Sequence, residues 1–234
     1  MPLCPTLARM HLGGRFIVID GPDGCGKSTQ IGRLAEWIAS QGAECVRAKD
    51  PGGTEIGDRI RHVLLGYDLS AMAPHCETLL FMASRAQLVA QVVRPALAQG
   101  KTVLGDRFIS ATCAYQGAAG FPREQVIEVG RWAVGETWPD LTIILDVPPE
   151  VGFARTGRTP QSGRRRDDAA QLALLNDART DAMERRSLAF HRQVRANFLD
   201  LPRYYPRPVE IVDATPAPDA VFEAVRQAVE RAFQ

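Results

Sequence analysis

The sequence predicts an α/β fold, a parallel sheet held between two layers of helices. Three observations carry that expectation. Short apolar segments of strand length alternate with longer amphipathic stretches along the 234 residues. The strand candidates are apolar at successive positions, as strands covered on both faces are. A glycine-rich turn at residues 21–28 joins the first strand candidate directly to the first helix candidate.

Taken in order, the strand candidates are Phe16–Asp20, Glu44–Ala48, Thr102–Leu104, Leu141–Asp146 and Val209–Val212. Helical patterns cover Lys27–Ser40, Glu55–Leu65, Glu77–Gln99, Arg123–Val134, a long stretch within Asp168–Leu199, and Asp219–Ala232. Gly66 and Gly100 stand where a helix ends in a left-handed residue. Strands that alternate with helices imply right-handed crossovers and hence three layers with a five-stranded parallel sheet. No repeat or linker divides the chain, so residues 15–234 read as one domain after a flexible N-terminal arm, 1–14. One segment breaks the alternation. Arg155–Arg166, RTGRTPQSGRRR, holds five arginines, two glycines and a proline without an acid, and reads as a mobile basic loop, a lid at about 155–168.

A net charge of +1 argues against a chain that coats nucleic acid or an anionic membrane. The five cysteines, Cys4, Cys25, Cys45, Cys76 and Cys113, include no C-x-x-C pair, which suits neither a disulfide scaffold nor a zinc site. They point to a reducing, cytoplasmic setting. No apolar run is long enough to span a membrane, and residues 1–14 lack the apolar core of a signal peptide. Of 28 basic residues only Lys27, Lys49 and Lys101 are lysine.

Residues 21–28, Gly21-Pro22-Asp23-Gly24-Cys25-Gly26-Lys27-Ser28, match G-x-x-x-x-G-K-[ST] in the strand–loop–helix setting that gives the motif its meaning. Its glycines let backbone N–H groups curl around a di- or triphosphate, and the helix that follows adds its N-terminal dipole. Lys27 brings a compact ammonium to the β/γ-phosphates, and the Ser28 hydroxyl is a ligand for Mg²⁺. Nucleoside triphosphate binding follows. Asp50-Pro51-Gly52-Gly53 fits the D-x-x-G of a GTPase switch, yet a guanine-reading lysine motif is missing, because no lysine lies beyond Lys101.

Four segments in order resemble the bacterial thymidylate kinases: FIVIDGPDGCGKST at 16–29, DPGGTEIGDRIR at 50–61, ETLLFMASRAQLV at 77–89 and GDRFISATCAYQG at 105–117. PDLTIILDVPPEVG at 139–152 and VDATP at 212–216 extend the likeness toward the C-terminus. The resemblance implies a P-loop kinase fold, phosphorylation of dTMP to dTDP with ATP and Mg²⁺, and a homodimer. It implies that residues 21–28 with Thr29 bind ATP, and that Asp23 accepts a hydrogen bond from the sugar 3′-hydroxyl of the acceptor. Asp50 belongs to the acceptor-side loop. Before it the family usually has arginine and this chain has Lys49, which can hold a phosphate only as a point charge.

By the same resemblance Phe81 stacks on thymine and Arg85 donates to a base oxygen; four residues apart, both project from one helix face. Leu79, Leu80, Met82 and Val89 are core by default. Arg107 bridges the donor and acceptor phosphates, and Asp106 acts on Mg²⁺. Thr112 and Gln116 contact base or sugar, while Tyr115 crowds the ribose 2′ position. Gly24 beside Asp23 leaves the P-loop without an extra cation, so the arginines of the lid supply it: Arg158 to the transferring phosphate, Arg155 against adenine, with Arg164, Arg165 and Arg166 as alternatives to Arg158. Such a site neutralises charge without a general base. Two other readings remain open at this point, a kinase for another pyrimidine nucleotide or deoxynucleoside, and a non-catalytic ATP-binding module. Cys25 among the phosphate-cradling amides is either a redox-sensitive thiol or a small inert filler, the filler being favoured.

Overall fold

The computed structural model describes residues 12–66, 72–157 and 187–234. Its five strands are β1 (Phe16–Asp20), β2 (Cys45–Lys49), β3 (Thr102–Asp106), β4 (Leu141–Asp146) and β5 (Val209–Asp213). They form one wholly parallel sheet in the order β2-β3-β1-β4-β5. β1 is therefore central, and its carboxyl end is the point from which the strands are wound outward on either side, where such sheets place their ligands.

The helices are α1 (Lys27–Ser40), α2 (Glu55–Gly66), α3 (Pro74–Leu88), α4 (Arg94–Ala98), α5 (Ile109–Ala118), α6 (Arg123–Val134), α7 (Pro149–Thr156), α8 (Leu188–Asp200) and α9 (Pro218–Phe233). Alternate residues of β1 feed two cores. Phe16 and Val18 pack with Val103, Ile144 and the apolar sides of α3, α5, α6 and α8. Ile17 and Ile19 pack with Leu104, Ile143, Leu145 and the apolar sides of α1 and α9. That division is the three-layer sandwich the alternation predicts.

Three departures have physical causes. β2 and β5 are half-exposed rather than covered on both faces, because each is an edge strand; β2 sends Arg47 and Lys49 to solvent. The single helix expected at 77–99 is α3 and α4 joined by a π-helical turn, Val89–Val93, in which Arg94 N–H reaches back to Val89 O. Pro95 follows at once, and a proline in a helix interior lacks the N–H for the α-helical bond and crowds the carbonyl four residues back, so the widened turn accommodates it. Leu79, expected in the core, is 57% exposed, and Leu80 is half-buried, whereas Met82 and Val89 are buried.

At the N-terminus, Leu12 falls within the expected arm but is buried, and its carbonyl accepts a hydrogen bond of 2.6 Å from Thr102 Oγ1. The amphipathic pattern at 168–199 is described only from Ser187 onward, where the Ser187 hydroxyl caps α8 by accepting from Phe190 N–H.

Candidate active site

β1 ends at Asp20, and the chain turns through Gly21, Gly24 and Gly26 at φ of 141°, 74° and 94°. A Cβ at Gly21 would stand 2.4 Å from Leu145 O, and one at Gly24 2.2 Å from Gly152 O at the start of α7. The glycines thus serve close packing against β4 and α7 as well as backbone freedom. The Lys27 Nζ donates to the carbonyls of Gly21 and Pro22, each at 3.2 Å. Above the loop lies a cavity of about 430 Å³ lined by Gly24–Gln30, Arg155, Thr156, Ala214, Pro216, Pro218 and Val221. Arg155 lies against its far wall, donating to Ala214 O (2.8 Å) and Thr215 O (2.9 Å). Ser28 and Thr29 are open to this cavity and Cys25 is buried beneath it, its thiol pushed up by burial. That buried, protonated state fits the filler rather than the redox-sensitive thiol.

A second cavity, of about 90 Å³, lies on the other side of the loop. It brings together Asp23, Asp50, Phe81, Arg85, Arg107, Thr112, Tyr115 and Gln116, with Pro51, Arg61, Leu65 and Ala111 completing the lining. Arg85 is 1% exposed. Its Nε donates to Asp50 Oδ2 at 2.5 Å, Nη1 to Met82 Sδ, and Nη2 to both Phe108 O (3.0 Å) and Thr112 Oγ1 (3.1 Å). Of five N–H groups four are committed, leaving one on Nη1 for a ligand.

Arg107 stands between the two cavities, in a left-handed conformation (φ 69°) directly after β3. Its Nη1 donates to Asp20 Oδ1 (3.1 Å) and to Gly21 O (3.2 Å), and its Nη2 to Asp23 Oδ1 (2.7 Å) and the Tyr115 hydroxyl (3.3 Å). The guanidinium also lies over the Tyr115 ring, 5.0 Å from its centre. Burial opposes the charge, yet Tyr115, Asp20 and Asp23 hold it well above the ordinary arginine value. Burial pushes the carboxyls of Asp20 and Asp50 up, against the guanidiniums of Arg107 and Arg85 respectively.

Asp106 closes β3 half-buried, in register with Ile19 of β1 and Lys49 of β2, and lines neither cavity. Arg158 and the cluster Arg164–Arg166 lie outside the described residues. Three residues of the site escape the motif-based reading. Asp20 is fully buried and holds Arg107, while accepting from Ser110 Oγ at 2.6 Å. Gln30 fastens α1 to α9 through Pro218 O at 3.0 Å. Arg61 reaches the second cavity from α2. The signal for Asp20 was available, an acid closing an otherwise apolar strand.

A profile of the family described as thymidylate kinase matches residues 19–225. The chain belongs to the thymidylate kinase family. Curated relatives, each named thymidylate kinase, span nearly its whole length. The one from Thermomicrobium roseum is 42% identical over 90% of this chain and 91% of its own. Those of an Exiguobacterium species and Geobacter sulfurreducens are each 40% identical, over 92% and 91% of this chain and 93% and 94% of theirs.

Proposed function

We propose that the protein transfers the γ-phosphoryl group of ATP to dTMP, giving dTDP and ADP, with Mg²⁺ as cofactor. The observation that carries the reading is Arg107. One guanidinium touches the P-loop carbonyl of Gly21, the loop carboxylate Asp23 and the acceptor-side Tyr115, so it stands where donor and acceptor phosphates would meet. An acceptor phosphate is already anionic, so the chemistry needs positioning and charge neutralisation rather than a base. Lys27 leaves its two loop carbonyls for the β/γ-phosphates, and Arg107 spans the bridging oxygens. Asp23 holds the sugar 3′-hydroxyl. Phe81 covers the thymine face, while the remaining Nη1–H of Arg85, with Thr112 and Gln116, reads its edge. Gln116 suits this, because its buried Nε2 has no hydrogen-bond partner among the described residues.

For Mg²⁺ the hydroxyl of Ser28 and the carboxylate of Asp106 are hard oxygen donors, fitting an ion that takes few protein ligands and keeps phosphates and water for the rest. Bound there, it would neutralise phosphate charge. Arg155 stacks against adenine beside Ala214–Pro216, and Arg158 supplies the lid cation. The reaction belongs in the cytoplasm, in keeping with free Cys25, Cys45, Cys76 and Cys113. A homodimer is supported by Trp132 on α6 (93% exposed), Leu79 on α3 (57%) and Ile56 on α2 (52%). These three helices pack in sequence, α2 on α3 and α3 on α6.

The test is ADP release over a panel of nucleoside monophosphates. Turnover should be greatest with dTMP. Equal turnover of dTMP and CMP would overturn the base-reading role of Arg85, and no turnover with any acceptor would overturn the reaction.

A further inference from the structure

We infer that Ser110 is a positioning residue: through Asp20 it fixes the plane in which the Arg107 guanidinium meets the two phosphates. The inference rests on the dTMP kinase reading above and deepens it. Arg107 leaves β3 with its N–H bonded to Ile19 O of β1 at 3.2 Å, so its side chain starts beside Asp20. The guanidinium then has two unlike edges. Nη1 is committed inward, to Asp20 Oδ1 and Gly21 O. Nη2 is committed to Asp23 and Tyr115, both in the lining of the second cavity. The Asp23 side chain is 12% exposed and can turn to a ligand, whereas Asp20 is wholly buried and lines neither cavity. Asp20 is therefore the permanent partner of Arg107, and Asp23 the exchangeable one.

Ser110 is what makes Asp20 an anchor. Asp20 Oδ1 accepts from Gly21 N–H at 2.8 Å as well as from Arg107, and Oδ2 accepts from Ser110 Oγ at 2.6 Å. The terminal torsion of an aspartate is broad, so a carboxylate held by one oxygen still turns about Cβ–Cγ. One held by both oxygens has its plane fixed. Ser110 sits fully buried in the first turn of α5, so one short segment carries both the guanidinium and the hydroxyl that orients its anchor. It lines neither cavity and reaches the reaction only through Asp20. Without that hydroxyl a buried charged oxygen loses its donor, a loss that a low-dielectric interior magnifies.

Steady-state kinetics, a double-mutant cycle and nitrogen-15 NMR on the full chain test this. Ser110→Ala should lower kcat about 10-fold, the worth of one hydrogen bond to a charged group, with KM for ATP and for dTMP within about threefold. Asp20→Asn should lower kcat about 100-fold, the scale of a misplaced catalytic group. Should Asp20→Asn not fold, Ser110→Ala alone decides. In an Arg107→Met background Ser110→Ala should change kcat by less than about twofold, because the group it orients is gone. An undiminished loss in that background, or higher KM values with kcat unchanged, would mark Ser110 as structural and overturn the assignment. The Arg107 Nη signals, identified by their loss in Arg107→Met, should be separate in wild type and merged by rotation in Ser110→Ala. Merged signals in wild type would also overturn it. With the signals as expected but no dTDP formed by wild type, the kinase reading would fail and the anchor would stand. Wild-type kcat for dTDP formation in Ser110→Ala would show the reverse.

Discussion

The two sides of the cleft, read above as donor and acceptor, are built from different materials. The donor side is backbone: three left-handed glycines, the start of α1, and carbonyls of Ala214 and Thr215 that fasten Arg155. The acceptor side is side chains, drawn from α2, α3, α5 and the ends of β1, β2 and β3, and locked by buried ion pairs. A site made of backbone depends on what the chain can curl into. A site made of charged side chains depends on every partner being present, because in a low-dielectric interior an unmatched charge is costly.

The sharpest test of that contrast removes one acceptor-side partner. Asp50→Ala leaves the Arg85 guanidinium 1% exposed and without its carboxylate. Breaking a buried pair from one side costs roughly 3–5 kcal/mol, a fall in Tm of about 10 °C for a domain of this size. Ser28→Ala on the donor side removes an exposed hydroxyl and should lower activity while Tm stays within about 2 °C, as surface changes do. Calorimetric melting of both variants decides it. Equal shifts would mean that the acceptor-side network is not what holds that region together.

A smaller effect, and the opposite one, is expected from the donor-side backbone. Gly24→Ala places a Cβ 2.2 Å from Gly152 O in a conformation, φ 74°, that alanine resists. The loop must lift from α7, and KM for ATP should rise about tenfold or more, with KM for dTMP changing less than threefold. Steady-state kinetics with each substrate varied in turn would show it. If both constants rose together, the two sides would not be separable in the way their construction suggests.

The same contrast explains what was legible in the sequence. The phosphate loop could be read outright, because a local backbone conformation is specified by adjacent residues: glycines at 21, 24 and 26, then Lys27 and Ser28 entering α1. The five-stranded parallel sheet between helical layers followed from periodicity, with the edge strands misjudged because apolar composition does not say whether a strand has one neighbour or two; the strand order did not. On the acceptor side, Phe81, Arg85, Arg107 and Tyr115 came from resemblance and not from spacing. Arg61 was invisible: its approach to Pro51 depends on how α2 docks, ten residues away and through Asp58 and Gly53. The break at Val89–Val93 had a readable signal in Pro95, overruled by the apolar pattern running through it.

The smallest effect is predicted for Tyr115, where two roles compete. Its hydroxyl accepts from Arg107 Nη2 at 3.3 Å, and its ring, wedged edge-on against Phe198, lies beneath the same guanidinium. If the ring excludes a ribose 2′-hydroxyl, Tyr115→Ala should cut the preference for dTMP over its ribonucleotide analogue by about tenfold, the scale on which a pocket wall discriminates one small group. Tyr115→Phe keeps the ring and loses only the bond to Arg107, so selectivity should hold while kcat drops a few-fold. Ratios of kcat/KM for the two sugars, measured on both variants, separate the roles. Unchanged selectivity in Tyr115→Ala, with kcat reduced as in Tyr115→Phe, would make Tyr115 a prop for Arg107 alone and move discrimination at the 2′ position away from this ring.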